Sequence, residues 1–289
     1  GTAGLGIETI KHLAAHSPAH IYFSGRNSKA GDTLVAELGA KYPDVGFTFV
    51  QMDLSSLASI KNAVEKCFTH SRLDILVNNA GIMAMPPALS TDGYEIQFAT
   101  NHLGHAMLLR QLLPTLLKTA EQPGTDVRVI SLSSLGFRGH PLNGIEFAKL
   151  EAGSTLSLIF MGSWIRYGQS KLANILYASE LARLHPSITS ISVHPGVVKT
   201  PLVSSQKWYN RWFIYVSQFL IGVKLLEPEQ GAWNTVWAAS AAKKEDLRNG
   251  GFYTPVGVDG WKSVLDKTAR NEELAAKLWV WTEGILKKH

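Results

Sequence analysis

Val45-Gly-Phe-Thr-Phe-Val50, Asp53-Leu54, the run from Ser56 to His70, and Leu73-Asp-Ile-Leu-Val77 closing on Asn78-Asn79-Ala80-Gly81 form the stretch that decides the fold. Two short runs rich in β-branched, aromatic and aliphatic residues flank a segment whose apolar residues recur at helical spacing, so the order is strand, helix, strand. Such alternation builds a parallel sheet with right-handed crossovers and helices on its faces. Ligands of such sheets bind outside the carboxyl ends of the strands, where the small residues 78–81 allow close approach to the backbone.

The same pattern extends in both directions. Upstream, Ala19-His-Ile-Tyr-Phe-Ser24 is a short strand, followed by Gly25-Arg26-Asn27 and a helix through Lys41. Before it, Gly1-Thr-Ala-Gly4-Leu5-Gly6-Ile7 runs into helical spacing from Glu8. Glycines there permit tight turning, and exposed amides at a helix N-terminus suit a pyrophosphate. Where a dinucleotide fold places a carboxylate after the second strand to bind the adenosine ribose, this chain has Arg26 and no acid beside it, which favours a 2′-phosphate. The plainer alternative is a solvated loop arginine.

Downstream, the pattern predicts a helix over 94–117, a strand over 126–132 ending at Ser133-Ser134, an irregular glycine-bearing excursion over 135–163, a helix to about His185, and a strand over 188–193. After His194-Pro195-Gly196-Val-Val198-Lys-Thr200 comes an aromatic segment, 202–226, then a helix over 228–240, a short strand at Phe252-Tyr-Thr-Pro255 and a closing helix over 271–286. The fold class is α/β, a Rossmann-type doubly wound parallel sheet, with residues 1–289 as a single domain.

Chemistry concentrates in Trp164-Ile-Arg-Tyr167-Gly-Gln-Ser-Lys171-Leu-Ala-Asn174. Tyr167 and Lys171 stand four apart, one turn apart on one helical face. A phenol titrates near ~10 and is a poor acid or base at neutral pH until a positive charge stabilises its anion. At about 5 Å and an effective dielectric of ~20, an ammonium supplies roughly 3 kcal/mol, about two pKa units. Tyr167 is therefore read as a general acid/base activated by Lys171. On its own, the spacing also fits an ordinary surface pair.

Composition excludes several classes. The chain has 289 residues, 45% hydrophobic and 18% charged, as soluble globular proteins do. The net charge of +5 is spread without a basic run, which speaks against nucleic acid as a partner. The single cysteine, Cys67, excludes an internal disulfide and reads as a small apolar group on a helix. His102 and His105 have no third ligand placed beside them, so both read as structural and no metal site is expected.

Taken together, these segments resemble the short-chain dehydrogenase/reductase family along essentially the whole chain. Gly4-Leu5-Gly6 is similar to the end of that family's T-G-x-x-x-G-x-G loop, Asp53-Leu54 to its adenine contact, Asn79-Ala80-Gly81 to its N-N-A-G element, and Pro195-Gly196 to its P-G turn. Asn101, Ser134, Tyr167 and Lys171 match its catalytic tetrad. The resemblance implies that Ser134 hydrogen-bonds the substrate oxygen, Tyr167 exchanges its proton, Lys171 holds the nicotinamide ribose and lowers the tyrosine pKa, and Asn101 orders a water. It also implies cofactor contacts from Arg26, Val198 and Thr200, and a first strand and leading Thr-Gly ahead of Gly1.

Ser134 and Tyr167 are 33 residues apart, which resembles the retinol dehydrogenase and WW-domain oxidoreductase branch. Gly25-Arg26, Asn101-His-Leu-Gly-His105 and His194-Pro-Gly-Val-Val-Lys-Thr200 point the same way. This implies NADP(H), a small lipophilic carbonyl or alcohol substrate, and a cytoplasmic location or the cytosolic face of an internal membrane. The alternative is a non-catalytic nucleotide-sensing or scaffold protein on the same fold. Segment 202–226 admits a core helix, a lid over the substrate or a membrane-surface contact, with the lid favoured by its place after Thr200. Helices such as 94–117 and 164–185 pair between subunits in many similar proteins, while branches with long inserts depart from that habit, so the resemblance leaves a homo-oligomer open.

Overall fold

In a computed structural model the chain is described at residues 1–151, 162–199 and 225–289. Helix α1 (Leu5–Ala14), strand β1 (His20–Gly25), α2 (Ser28–Lys41), β2 (Gly46–Gln51), α3 (Leu57–Cys67) and β3 (Ile75–Asn78) follow in the expected order. Side chains set two of these starts: Asn27 Oδ1 accepts from Ala30 N and Ser56 Oγ from Ser59 N, satisfying first-turn amides that have no partner within the helix.

The next helix is interrupted. Where the spacing predicts one helix over 94–117, α4 (Ile96–Phe98) passes through a π turn, Ala99–Leu103, into α5 (Gly104–Ala120). Such turns insert a residue and re-aim side chains, and they cluster at functional sites. Asn101 lies in this one, fully buried.

Strand β4 (Arg128–Leu132) leads to a 3₁₀ turn, Leu135–Gly139, and to α6 (Phe147–Leu150), so the described part of the excursion is more ordered than its glycines suggest. Helix α7 (Gly162–Leu184), β5 (Thr189–Val193), α8 (Pro228–Val236), β6 (Phe252–Thr254) and α9 (Glu272–Leu286) complete the expected set. A strand that the pattern does not announce, β7 (Val258–Asp259), turns back antiparallel on β6.

Strands β3, β4, β5 and β6 are parallel neighbours, and β1 pairs parallel with β2. Alternation places Val129, Leu76 and Ile188 in the main core with α3, α5, α7 and α9. Ile130, Leu132, Ile191 and Val193 face the other side, with Leu5 of α1 and Ala238 beyond α8. Both faces are covered, as a doubly wound sheet requires. Cys67 packs against the main core, in keeping with a small apolar role. Among the described residues no helix is long and apolar enough to cross a membrane.

β1 and β3 are each paired on one edge. Their other edges border a cavity of ≈540 Å³ lined by Ile21 and Phe23 of β1, Leu76 and Val77 of β3, Ile10 of α1 and Leu112 of α5. Gly1 N donates to Ser24 O at the carboxyl end of β1. A strand in the cavity would satisfy two open edges, at about 1 kcal/mol net for each backbone hydrogen bond. Extending the chain before Gly1 by roughly six strand-forming residues is expected to raise the melting temperature by several degrees, whereas a glycine-serine extension of equal length should not. Circular dichroism melts of the two extended chains check this, and equal melting temperatures would count against it.

Candidate active site

Within each of the two sheets the parallel strands share one direction, and the expected residues lie at or beyond their carboxyl ends. Gly4 precedes α1 at φ 52°, and no side chain caps the helix. Its free amides are the feature that holds an anion. A Cβ on Gly6 would stand 3.0 Å from Gly1 Cα and 3.1 Å from Asn79 Nδ2, so only glycine lets the loop close over the end of β3. Asn79 Oδ1 is buried without a hydrogen-bond partner. Across the edge, a Cβ on Gly231 of α8 would meet Val198 at 2.5 Å and Leu5 at 2.6 Å, so the glycine loop and the turn after β5 approach one another over α8.

That turn is shaped by Gly196 at φ 88°, next to Pro195, in a conformation costly for any residue with a Cβ. Val198 bridges Leu226, and Lys199 N donates to Leu226 O. Thr200, and 202–224 of the expected lid, lie outside the described residues.

At the other end of the cradle, Arg26 follows β1 and is exposed, with no ion pair among the described residues. Asp53 follows β2, where its Oδ1 accepts from Ser55 N and Ser55 Oγ. Leu54 is packed under α5, since a Cβ on Gly104 would lie 2.3 Å from Leu54 O. Ala80 O accepts from His105 Nε2 at 2.8 Å, which fixes the tautomer of that buried ring. His102 is equally committed, to Thr282 Oγ1, so both histidines are structural.

The four reactive residues are brought together by α7 and the ends of β3 and β4. Asn101 grips the chain after β3: its Oδ1 accepts from Ile82 N at 2.7 Å, and its Nδ2 donates to Ile82 O and to Ser170 Oγ. Ser133 Oγ donates to Lys171 O, a buried structural bond that leaves Ser134 as the serine facing the tyrosine. Ser134 hydrogen-bonds Tyr167, and its Oγ also accepts from Gly136 N at 3.1 Å. Gly136 is needed there, because a Cβ would come within 2.9 Å of the Tyr167 ring.

Lys171 Nζ donates to Leu132 O at 3.0 Å and sits 5.8 Å from the centre of the Tyr167 ring. A Cβ on Gly81 would lie 3.4 Å from that Nζ and 3.0 Å from Asn101 Oδ1, so Gly81 keeps open the space next to both. An uncapped helix start and glycine cradles, which offer backbone donors, with an unpartnered amide oxygen as acceptor, form a set of groups that fits a dinucleotide.

One electrostatic expectation is corrected. Lys171 does not lower the Tyr167 pKa in this structure. Burial dominates and pushes the phenol up to about 12, opposed by the hydrogen bond from Ser134. The ring packs against Met83 and Ala84 with Trp164 and Val197 around them, so little water reaches it. Burial likewise lowers Lys171 to about 8.

Sequence reasoning missed the anchor of this helix. Arg166, next to Tyr167, pairs with buried Glu95 at 3.2 Å and donates to Met85 O, while Glu95 also caps Phe98 N. Burial raises the Glu95 pKa against the pull of its amide bonds and Arg166. An acid one residue before α4 is a capping signal that could have found half of this pair.

A family model described as short chain dehydrogenase matches residues 1–142. The short-chain dehydrogenase/reductase drtF of Aspergillus calidoustus is 36% identical, covering 100% of this chain and 92% of that protein. Retinol dehydrogenase 11 of Homo sapiens is 34% identical over 96% of this chain and 81% of its own length. Among solved structures, an uncharacterized protein from Mycobacterium Paratuberculosis superposes with a TM-score of 0.72 at 27% identity, covering 99% of this chain and 91% of that one.

The Lys171 shift carries a stability consequence. The folded lysine titrates at about 8 and the unfolded one at 10.5, so between those values the unfolded chain binds more protons and stability rises with pH. The gain across that window is about 3 kcal/mol for this buried group. Denaturant midpoints from pH 8 to 10 should rise more steeply in the wild type than in Lys171→Met. Parallel slopes would contradict the buried-ammonium assignment.

Proposed function

Because the chain belongs to the short-chain dehydrogenase/reductase family, we propose that it is an NADP(H)-dependent oxidoreductase interconverting a lipophilic alcohol and its ketone or aldehyde. The observation that carries this reading is the convergence of Ser134, Tyr167, Lys171 and Asn101 at the carboxyl edge of the sheet, beside a cradle that fits a dinucleotide. A non-catalytic scaffold would have no use for that convergence, and no observation favours one.

The nicotinamide, when bound, supplies or accepts the hydride at the substrate carbon. In the reducing direction Tyr167 Oη gives its proton to the carbonyl oxygen, and the Ser134 hydroxyl donates to that same oxygen. Stabilising charge where it develops accounts for much of such catalysis. Lys171, charged below about 8 in this structure, faces the space kept by Gly81, where it would hold the ribose hydroxyls. Asn101 is a positioning residue that holds the chain after β3 and, with Lys171, would order a water.

Arg26 supports NADP(H) over NAD(H), being an exposed cation after β1 with no carboxylate in its loop. The lipophilic substrate is supported by the apolar packing around Tyr167 and by an adjoining cavity of ≈420 Å³ whose lining includes Leu135, Val197, Leu226 and Val264. A named retinol dehydrogenase among the relatives agrees with it.

Dissociation constants should favour NADP(H) at least tenfold, as about 1.4 kcal/mol from one charge-assisted contact gives, and Arg26→Asp should invert the order. Equal constants would reject the assignment. Tyr167→Phe should lose all but a trace of NADPH-dependent reduction of a reactive diketone while keeping NADPH affinity, because it removes the proton donor and little else. Retention of more than about a tenth of the activity would refute the role given to Tyr167.

A further inference from the structure

His194 takes no part in the chemistry above, yet its place is unusual. On β5, Ser190 Oγ donates to Ala178 O of α7, while Ile191 and Val193 face the opposite core with Ala238 and Ala239. Alternation along the strand puts Ser192 and then His194 on the α7 side, the side of Tyr167. Leu132 of β4 is in register with Val193, and Ser133 N donates to Val193 O. His194 is therefore one strand, about 5 Å, from the Ser133-Ser134 turn.

The ring is 5% exposed, and neither of its nitrogens has a hydrogen-bond partner among the described residues. It lines the ≈420 Å³ cavity that begins at Leu135, directly after Ser134. Two other polar side chains on that wall are already engaged. Arg138 Nη2 donates to Val264 O, and Thr254 Oγ1 to Val258 O. Burial lowers the His194 pKa to about 4, so at working pH it is a neutral ring.

A buried polar atom without a partner is costly, and the cost is recovered where a ligand supplies the missing bond. We infer that His194 is a specificity-determining residue, whose imidazole hydrogen-bonds a second oxygen of the substrate a few ångströms from the reacting carbonyl, as in a lipophilic diketone or hydroxyketone. The inference rests on the function proposed above. A site built to bond such an oxygen discriminates strongly against an analogue lacking it, whereas an apolar wall discriminates weakly.

The test compares 1-phenyl-1,2-propanedione with propiophenone, which lacks the second oxygen. Binding is measured by calorimetry on protein saturated with NADP⁺, so that it does not depend on turnover. Wild type should bind the dione at least tenfold more tightly. His194→Leu should remove that preference by weakening the dione alone, and His194→Asn, which keeps a donor and an acceptor, should restore much of it. No preference in wild type overturns the inference without recourse to any variant. Equal weakening of both ketones in His194→Leu, or no weakening of either, does so as well. Dione preference without any turnover would instead reject the oxidoreductase reading and leave the His194 contact standing. Failure of wild type to bind either ketone rejects both.

Discussion

The site depends on one buried carbonyl. Leu132 O, at the last residue of β4, accepts from both Lys171 Nζ and Asn174 Nδ2, while the next side chain along, Ser133, donates its hydroxyl to Lys171 O. An ammonium taken out of water must find partners or lose its proton. Here the partner is a strand end, so the bonds that make burial of Lys171 tolerable also seat α7 on the sheet. Tyr167, one turn earlier, thereby comes to face Ser134, and Asn101 closes the arrangement from the π turn through Ser170.

Burial then governs the proton chemistry. The surroundings that exclude water raise the phenol from 10.0 to about 12 and lower the ammonium from 10.5 to about 8, driving the two apart in the order opposite to that of a ready-made phenolate. The neutral phenol is accordingly the favoured form, as suits a proton donor in reduction. Gly81 keeps clear the space next to Lys171 and Asn101, so whatever enters there lies beside both.

Much of this was legible in residue order. The alternation around 45–81 specifies a parallel sheet, and one turn of helix brings Tyr167 and Lys171 to one face. The spacing could not separate Ser133 from Ser134, because that choice is made by a bond to a backbone carbonyl on another element. It could not show the π turn, which interrupts an otherwise helical spacing, or β7, which is only two residues long. Glu95 and Arg166 are far apart in the chain, so their pairing exists only in the fold. The phenol pKa was misjudged because Coulomb's law was applied at an assumed separation, while desolvation, the larger effect, is invisible until burial is known.

Reduction of a diketone by NADPH, followed over a single turnover in H₂O and in D₂O, tests the central claim most directly. If Tyr167 delivers the proton as the hydride arrives, the wild type should react more slowly in D₂O and Tyr167→Phe should not react measurably in either solvent. Equal rates in the two solvents, with reduction persisting in Tyr167→Phe, would contradict it.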